Sequence, residues 1–222
     1  MKICEEPFYS IQGEGDVIGY PSIFLRLAGC NLHCTFCDTK YSWNKGNDVE
    51  VEVIVEKLLE LKHKHNCLFI TITGGEPLLQ SDEIIELVDR LRLTLTNFQI
   101  LIETNGTIEP KKLEFLCDFS VSPKLNNSGN DVQIYRNEEN FWWANYIKFV
   151  IGKNRKKDIN EVTKFVELHN IPVKKVILQP DGRTKKYRRT LRTLMEYVIK
   201  NNIPYRVLPQ QHVIAWGQRR GV

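Results

Sequence analysis

The sequence predicts an α/β protein built around a mainly parallel β-sheet. From residue 67 onward, short apolar runs rich in β-branched residues alternate with helical segments. Repeated strand–helix units of this kind form parallel sheets. Loops with unusual polar and glycine-containing sequences follow several of the predicted strands. In parallel α/β folds, the chemistry collects at the carboxyl ends of the strands, so these loops are expected to form one site.

The individual elements follow in order along the chain. A strand at 22–27 leads directly into a cysteine-containing loop, and a helix is predicted at 49–65. Ser81 or Asp82 can cap the helix that runs to residue 93, and Pro110 suits the first turn of a short helix to residue 116. Further helices are predicted at 158–169 and 190–201. The other predicted strands are 67–73, 98–104, 118–122, 146–151, 175–178 and 205–208.

The segment 126–145 has no periodicity and is expected to be irregular, with the aromatic residues 141–143 packed against the protein. The chain of 222 residues fits a single domain covering 1–222. It has no internal repeat and no second-domain linker.

Composition excludes several functional classes. The net charge of +4 is too small to argue for nucleic-acid binding. No apolar run approaches the roughly 20 residues that cross a bilayer, and the amino terminus lacks an apolar signal region. A cytoplasmic protein without membrane or nucleic-acid partners is therefore expected. The basic run 183–192 is interpreted as a solvated helix start, with an RNA-contacting patch as the alternative.

Five loops at predicted strand ends would converge on one edge of the sheet. They are the cysteine loop, Gly74-Gly75-Glu76-Pro77, Asn105-Gly106, Ser122-Pro123-Lys124 and Gln179-Pro180-Asp181-Gly182.

Three closely spaced cysteines, Cys30, Cys34 and Cys37, are the strongest chemical signal. Structural zinc sites and electron-transfer iron–sulfur clusters usually take four ligands. Three thiolates leave one iron of a four-iron cluster open for a reacting group. The alternatives are a zinc site completed by His33 or a distant ligand, and a cluster with a fourth cysteine. Cys67 and Cys117 lie in strand-like stretches and are predicted to be core thiols.

The C-x3-C-x2-C motif after the first core strand resembles that of the radical S-adenosylmethionine superfamily. Gly74-Gly75-Glu76-Pro77 is similar to that superfamily's glycine-rich strand end. The resemblance implies a partial, open TIM-like barrel of six or seven mainly parallel strands with few helices. It also implies a 4Fe-4S cluster whose open iron binds S-adenosylmethionine and cleaves it to a 5′-deoxyadenosyl radical.

Further motifs resemble the 7-carboxy-7-deazaguanine synthase family within that superfamily. They are residues 8–15 (FYSIQGEG), Arg26, Cys37-Asp38-Thr39, Thr73, residues 103–106 (ETNG), Ser122-Pro123-Lys124 and residues 179–182 (QPDG). The resemblance covers nearly the whole chain and implies conversion of 6-carboxy-5,6,7,8-tetrahydropterin to 7-carboxy-7-deazaguanine with loss of ammonia, in queuosine and deazapurine biosynthesis.

The same resemblance implies roles for individual residues, with the radical carried by the cofactor and no catalytic side chain. The cluster ligands would be Cys30, Cys34 and Cys37, and Thr39 would bind Mg²⁺. Contacts to the pterin would come from Ile11, Gln12, Gly13, Arg26 and Thr73, with Arg26 on the carboxylate. The S-adenosylmethionine pocket would be lined by Phe36, Cys37, Asp38, Gly75, Ser122, Lys124, Gln179, Pro180, Asp181 and Gly182.

The implied partners are the small pterin substrate, an external one-electron reductant such as flavodoxin, and a second copy in a homodimer. The tail, about residues 209–222, is expected to close on the site, with Trp216 pinning it and His212 either packing or functional. Whether the Val222 carboxylate contacts substrate stays open. The alternative functions are an activase that installs a glycyl radical on a partner protein and a non-catalytic metal-binding module.

Overall fold

The computed structural model describes residues 1–135 and 141–221, with the backbone alone for Gln133 and Ile134. Ten strands in this part of the chain form one sheet in the order β10-β9-β8-β7-β6-β5-β3-β1-β4, with β2 also paired to β3. The strands are β1 (Lys2–Ile3), β2 (Phe8–Ile11), β3 (Pro21–Leu27), β4 (Asn47–Asp48), β5 (Phe69–Gly74), β6 (Gln99–Thr104), β7 (Asp118–Val121), β8 (Tyr146–Ile151), β9 (Val176–Pro180) and β10 (Arg206–Val207).

Seven of the described strands, β3 and β5 to β10, run parallel. The short strands β1 and β2 pair antiparallel with β3, and β4 pairs antiparallel with β1. Because β10 and β4 end the strand order at opposite edges, the described sheet is open. The predicted open, mainly parallel α/β architecture is confirmed.

The helices cover the outer face of the sheet. Apolar residues of α1 to α4 belong to the main core cluster, together with one face of each central strand. The helices are α1 (Val51–Lys64), α2 (Ser81–Thr94), α3 (Arg155–Leu168), α4 (Tyr187–Lys200) and α5 (Gln211–Trp216). None of the helices in the described residues has the length and apolar character needed to span a bilayer.

Most predicted elements are present, with shifted ends. The helix predicted from residue 158 begins at Arg155, because the Asn154 side chain accepts a hydrogen bond from the Lys157 amide at 3.3 Å and caps it earlier. The short helix after Pro110 is a 3₁₀ helix, Lys111–Phe115. The helix α5 was not predicted.

The irregular segment contains two 3₁₀ helices, Asn126–Ser128 and Val132–Tyr135. Residues 136–140 lie outside the described part of the chain. Phe141 and Trp143 are buried as expected, whereas Trp142 is 62% exposed.

The inner face of the sheet changes character along the strands. Leu101, Tyr146 and Ile177 form a small apolar cluster. Since side chains on one face of a strand recur every second residue, the next inward positions toward the carboxyl ends are polar. These positions are held by Glu103, Lys148 and Gln179. The sheet therefore places an apolar floor beneath a polar cavity at the end where the special loops follow the strands.

Candidate active site

A cavity at the carboxyl ends of the strands brings together every residue that the family resemblance implied as a contact to the cluster, Mg²⁺, S-adenosylmethionine or the pterin. Its lining includes Ile11, Gln12, Gly13, Arg26, Cys30, Cys34, Phe36, Cys37, Asp38, Thr39, Thr73, Gly75, Ser122, Lys124, Gln179, Pro180, Asp181 and Gly182. The loops that carry them are separated in the chain but meet because parallel strands share one direction.

The three cysteines of the loop after β3 are free thiols on one wall of this cavity. The Cys34 sulfur accepts a hydrogen bond from the side-chain amide nitrogen of Asn130 at 3.2 Å. Burial raises the pKa of Cys30 and Cys34 above the ordinary thiol value. Binding of a metal group there would therefore release protons. Three soft sulfur donors suit an iron–sulfur group.

No fourth cysteine joins this wall in the described residues. Cys67 is buried in the main core cluster, and Cys117 packs against it, as predicted. The Cys4 thiol lies 3.3 Å from the Leu27 carbonyl oxygen. His33 does not line the cavity; its ring stacks edge-on against Trp43 with centroids 4.8 Å apart. The donor set therefore fits a cluster with one open iron better than a closed four-ligand site.

Glycines bring the end of β5 against the cysteine loop. Gly74 has φ of +133°, and a Cβ there would lie 2.0 Å from the Leu27 carbonyl oxygen. A Cβ on Gly75 would lie 1.9 Å from the Gly29 carbonyl oxygen and 3.1 Å from the Cys30 Cβ. Only glycine permits this approach.

Glu76, the third residue of the GGEP loop, holds the loops together. It is fully buried, and its carboxylate accepts hydrogen bonds from the Thr104 hydroxyl (2.7 Å), the Asn105 amide (2.7 Å) and the Leu78 amide (3.0 Å). Burial raises its pKa above the ordinary carboxyl value. Its contacts make it a structural link between the ends of β5 and β6.

The loop after β7 places a buried ammonium group beside the cysteines. The Lys124 Nζ donates to the Ser122 carbonyl oxygen at 2.6 Å and to its hydroxyl at 2.9 Å. Burial lowers the pKa of Lys124 below its ordinary value. The cavity wall next to the thiols thus offers both a cation and a hydroxyl group.

The end of β9 and the residue before α5 contribute unpaired polar atoms. Within the described residues, the buried side-chain oxygens of Gln179 and Gln210 have no hydrogen-bond partner. The Gln210 side chain packs directly against Gly182, because a Cβ at residue 182 would lie only 1.7 Å from the Gln210 Oε1. Arg183 fixes the loop after β9 to the cysteine loop by donating to the Thr35 carbonyl oxygen at 2.5 Å. Buried oxygens without a partner are expected where a ligand donates hydrogen bonds.

A carboxylate at the end of β6 organises another part of the cavity lining. The Glu103 carboxylate accepts from the Thr73 hydroxyl at 2.7 Å and from the Gln12 amide nitrogen at 3.1 Å. The sequence pattern included residues 103–106 as a motif but did not mark Glu103 itself as a site residue. Its side chain lines the cavity and offers acceptors to an N–H-bearing ligand.

Arg26 lies on β3 directly beside Thr73 on β5. Its Nε donates to the Glu5 carboxylate at 2.7 Å, and the two side chains are 16% and 24% exposed. This Nε contact leaves the two terminal nitrogens of the guanidinium for a ligand. A guanidinium that offers both terminal nitrogens can bind a carboxylate through two parallel hydrogen bonds.

A buried ion pair between Glu14 and Lys148 was not predicted from the sequence. The Gln210 amide nitrogen also donates to Glu14, at 2.6 Å. Burial alone would raise the pKa of Glu14, but the charges of Lys148 and His212 and the hydrogen bonds from Lys148 and Gln210 together outweigh it and hold the pKa at about 2. The signal available in the sequence was a lysine within the otherwise apolar strand β8.

The tail covers one side of the cavity. The Gln211 amide donates to the Gly13 carbonyl oxygen at 2.7 Å, and a Cβ on Gly13 would lie 2.2 Å from His212 Nδ1. His212 therefore lies against the loop that carries Gln12 and lines the cavity. Trp216 is 42% exposed, and its role in pinning the tail stays a prediction. Residue 222, with its carboxylate, lies outside the described residues.

Thr39 and Asp38 supply oxygen donors next to the cysteines. The Thr39 hydroxyl lies 3.6 Å from the Cys37 sulfur. Ligand atoms of Asp38, Glu14 and His212 all lie within 4.8 Å of one another. Glu14 already uses both oxygens, on Lys148 and Gln210, so this trio is not an open cation site.

Comparison with known proteins agrees with the fold and with the family resemblance of the motifs. The family described as the radical SAM superfamily matches residues 25–195. The 7-carboxy-7-deazaguanine synthase of Pyrobaculum aerophilum is 37% identical and covers 97% of this chain and 95% of its own length. The 7-carboxy-7-deazaguanine synthase of Methanospirillum hungatei is 36% identical over 96% of this chain and 84% of its own length.

A solved structure shows the same fold. The crystal structure of QueE from Escherichia coli superposes with a TM-score of 0.69 at 30% identity, covering 95% of this chain and 94% of that one. The chain therefore belongs to the radical SAM superfamily and, within it, to the 7-carboxy-7-deazaguanine synthase family.

Proposed function

We propose that this protein is a lyase that converts 6-carboxy-5,6,7,8-tetrahydropterin to 7-carboxy-7-deazaguanine and ammonia, in queuosine and deazapurine biosynthesis. One observation carries the proposal. The same cavity is lined by three free cysteines and by Arg26, Thr73 and Glu103. An open cluster site in one cavity with a carboxylate-binding arginine suits radical chemistry on a carboxylated heterocycle.

The cofactor side of the cavity is assigned to a 4Fe-4S cluster and S-adenosylmethionine, which together supply a 5′-deoxyadenosyl radical when bound. Cys30, Cys34 and Cys37 would hold the cluster. Lys124 and Ser122 line the same cavity as those cysteines, and the end of β9 adds a buried Gln179 oxygen that lacks a partner within the described residues. These groups would position the polar parts of S-adenosylmethionine through hydrogen bonds.

The substrate side is assigned to Arg26, Thr73 and Glu103. Arg26 would hold the carboxylate in two parallel hydrogen bonds. Glu103, oriented by Thr73 and Gln12, would accept hydrogen bonds from the N–H groups of the pterin. The protein's task in such a reaction is to hold the reacting atoms close together and to exclude water.

Thr39 is proposed as a Mg²⁺ ligand through its hydroxyl group, next to the exposed Asp38. Magnesium prefers oxygen ligands and keeps waters and substrate groups in its coordination shell. With one hydroxyl as the principal protein ligand, binding should be weak until the substrate carboxylate completes the site.

The remaining proposals concern organisation. The chain is taken as one domain over residues 1–222 whose tail, residues 209–222, closes on the site. This is supported by the tail residues 217–221 that line the cavity. We also propose a cytoplasmic homodimer that receives electrons from a reductant such as flavodoxin. Trp142 remains available for an interface, while Phe141 and Trp143 are buried.

The proposal is tested with protein that is purified and reconstituted with iron and sulfide under anaerobic conditions. S-adenosylmethionine, Mg²⁺, a one-electron reductant and the carboxypterin are added, and products are identified by mass spectrometry. We expect 7-carboxy-7-deazaguanine and ammonia, with none from a Cys34→Ala variant. Cluster-loaded protein that gives no deazaguanine would refute the proposal. An activase would instead cleave S-adenosylmethionine without transforming the pterin; the family assignment does not favour it.

A further inference from the structure

The tail of the chain brings a second guanidinium group to the carboxylate side of the cavity. The Arg220 Cζ lies 3.5 Å from the centroid of the Tyr41 ring. Its Nη2 lies 3.9 Å from the Glu5 carboxylate, the same group that accepts from Arg26. Arg26, Tyr41 and Arg220 line the cavity, whereas Glu5 stands behind them. Two arginines therefore flank one glutamate and face the same space.

The position of Arg220 is fixed by contacts along the tail. A cation over an aromatic ring is attracted to its face, so Tyr41 sets the plane of the guanidinium. The Gln218 amide nitrogen donates to the Gly182 carbonyl oxygen at 2.8 Å. Gly217 and Gly221 have positive φ values of +68° and +67°, which let the chain turn on either side of these contacts.

Arg220 changes the balance of charge at this end of the cavity, where the Glu103 carboxylate also acts electrostatically on Arg26. Glu5 neutralises Arg26, since the two form a close and largely buried ion pair. Charges in such surroundings are screened less than charges in water. Arg26 and Glu5 alone would thus be a neutral pair with little attraction for an anion. With Arg220 included, the cluster of Arg26, Glu5 and Arg220 has one net positive charge, which can attract a ligand carboxylate.

We propose that Arg220 is a specificity-determining residue that completes the subsite for the substrate carboxylate. Glu5 holds Arg26 by its Nε and lies 3.9 Å from Arg220, and both arginines line the cavity. The inference rests on the proposed function, since it concerns how the carboxylated pterin is recognised. It predicts that the tail contributes to selection of carboxylated over uncarboxylated ligands, beyond covering the cavity.

The test measures binding of two ligands to the cluster-loaded enzyme with S-adenosylmethionine. Isothermal titration calorimetry gives the Kd for 7-carboxy-7-deazaguanine and for 7-deazaguanine, which lacks the carboxylate. Arg220→Ala should weaken the first about tenfold, or about 1.4 kcal/mol, and leave the second within about twofold. In turnover, KM for the carboxypterin should rise by a similar factor while kcat changes little.

A second substitution distinguishes the effect of the Arg220 charge from the effect of the tail covering the cavity. Adding Glu5→Gln to Arg220→Ala keeps an oxygen for the Arg26 Nε but removes the neutralising charge, so most of the lost affinity should return. A tail that only covers the cavity would show no such recovery. Arg220→Lys, which keeps the charge, should weaken binding of the carboxylated ligand at most about threefold. Arg192→Ala on α4, outside the cavity lining and 71% exposed, is the control for removing one positive charge.

The inference is overturned if Arg220→Ala binds the carboxylated ligand like the wild type, weakens both ligands equally, or is not rescued by Glu5→Gln. A misfolded Arg220→Ala variant is recognised by loss of S-adenosylmethionine binding. In that case Arg220→Lys is the deciding variant. If it binds the carboxylated ligand tenfold or more weakly than the wild type, the charge argument is contradicted. Failure of the wild-type enzyme to make the deazaguanine would instead refute the proposed function itself.

Discussion

Replacing Lys148 by methionine would leave the Glu14 carboxylate buried without its counter-charge. The two side chains are only 10% and 14% exposed, and Lys148 is the cation that contacts Glu14. The Gln210 amide would remain as a hydrogen-bond donor to Glu14. Breaking one partner of a buried ion pair typically costs about 3–5 kcal/mol, because the other charge stays buried.

The pKa of Glu14 gives a second measure of how much the ion pair contributes to the free energy of unfolding. Its value falls from 4.5 to about 2, since the charges of Lys148 and His212 and the hydrogen bonds outweigh the effect of burial. At about 1.36 kcal/mol per pKa unit, this corresponds to about 3 kcal/mol of folding free energy. Because the pKa is lowered on folding, this contribution is complete above pH 4.5 and is lost as the pH falls toward 2.

The assay is urea denaturation of the full chain at several pH values, followed by circular dichroism. At pH 7, Lys148→Met should lower the free energy of unfolding by about 3 kcal/mol. Adding Glu14→Gln should recover more than half of the loss, because no buried charge remains. Arg192→Ala, which breaks an exposed pair on α4, should cost less than about 1 kcal/mol. A Lys148→Met loss of that same small size, or a double variant no more stable than the single one, would refute the reasoning.

Three other variants test separate parts of the site. Thr73→Val removes the 2.7 Å hydrogen bond to Glu103 and should raise KM for the pterin about tenfold in steady-state assays; an unchanged KM would remove Thr73 from the substrate wall. Gly75→Ala would place a Cβ 1.9 Å from the Gly29 carbonyl oxygen and should displace the cysteine loop, seen as a large fall in reconstituted iron; full iron content would contradict the packing. Cys67→Ala in the core should cost about 1 kcal/mol of stability by urea denaturation and keep iron content at the wild-type value, whereas iron loss would make Cys67 a ligand.

The order of strands and helices was predictable because local patterns and global topology agree. Buried strands such as β8 are nearly continuous apolar runs, interrupted there by Lys148, and the predicted bounds of β8, 146–151, match those of the structure. Helix ends were less predictable, since they depend on single side chains such as Asn154. The cysteine spacing and the glycine-rich loops located the site because parallel strands deliver their following loops to one edge.

What sequence patterns did not predict depends on contacts between distant segments. Glu14 and Lys148 are 134 residues apart, and nothing local to either indicates the other. Glu5, between β1 and β2, pairs with Arg26 on β3, and Arg220 joins them from near the end of the chain. Such contacts are decided by how the tail folds back, which neither periodicity nor turn residues specify.

The most direct measurement counts product against cofactor in the wild-type protein. After anaerobic reconstitution, 7-carboxy-7-deazaguanine formed and S-adenosylmethionine cleaved are quantified together by liquid chromatography. The radical is expected to be returned to the cofactor, so many molecules of product should form for each S-adenosylmethionine lost. Cleavage of S-adenosylmethionine without deazaguanine, by protein that carries a full cluster, would contradict the assignment of this cavity.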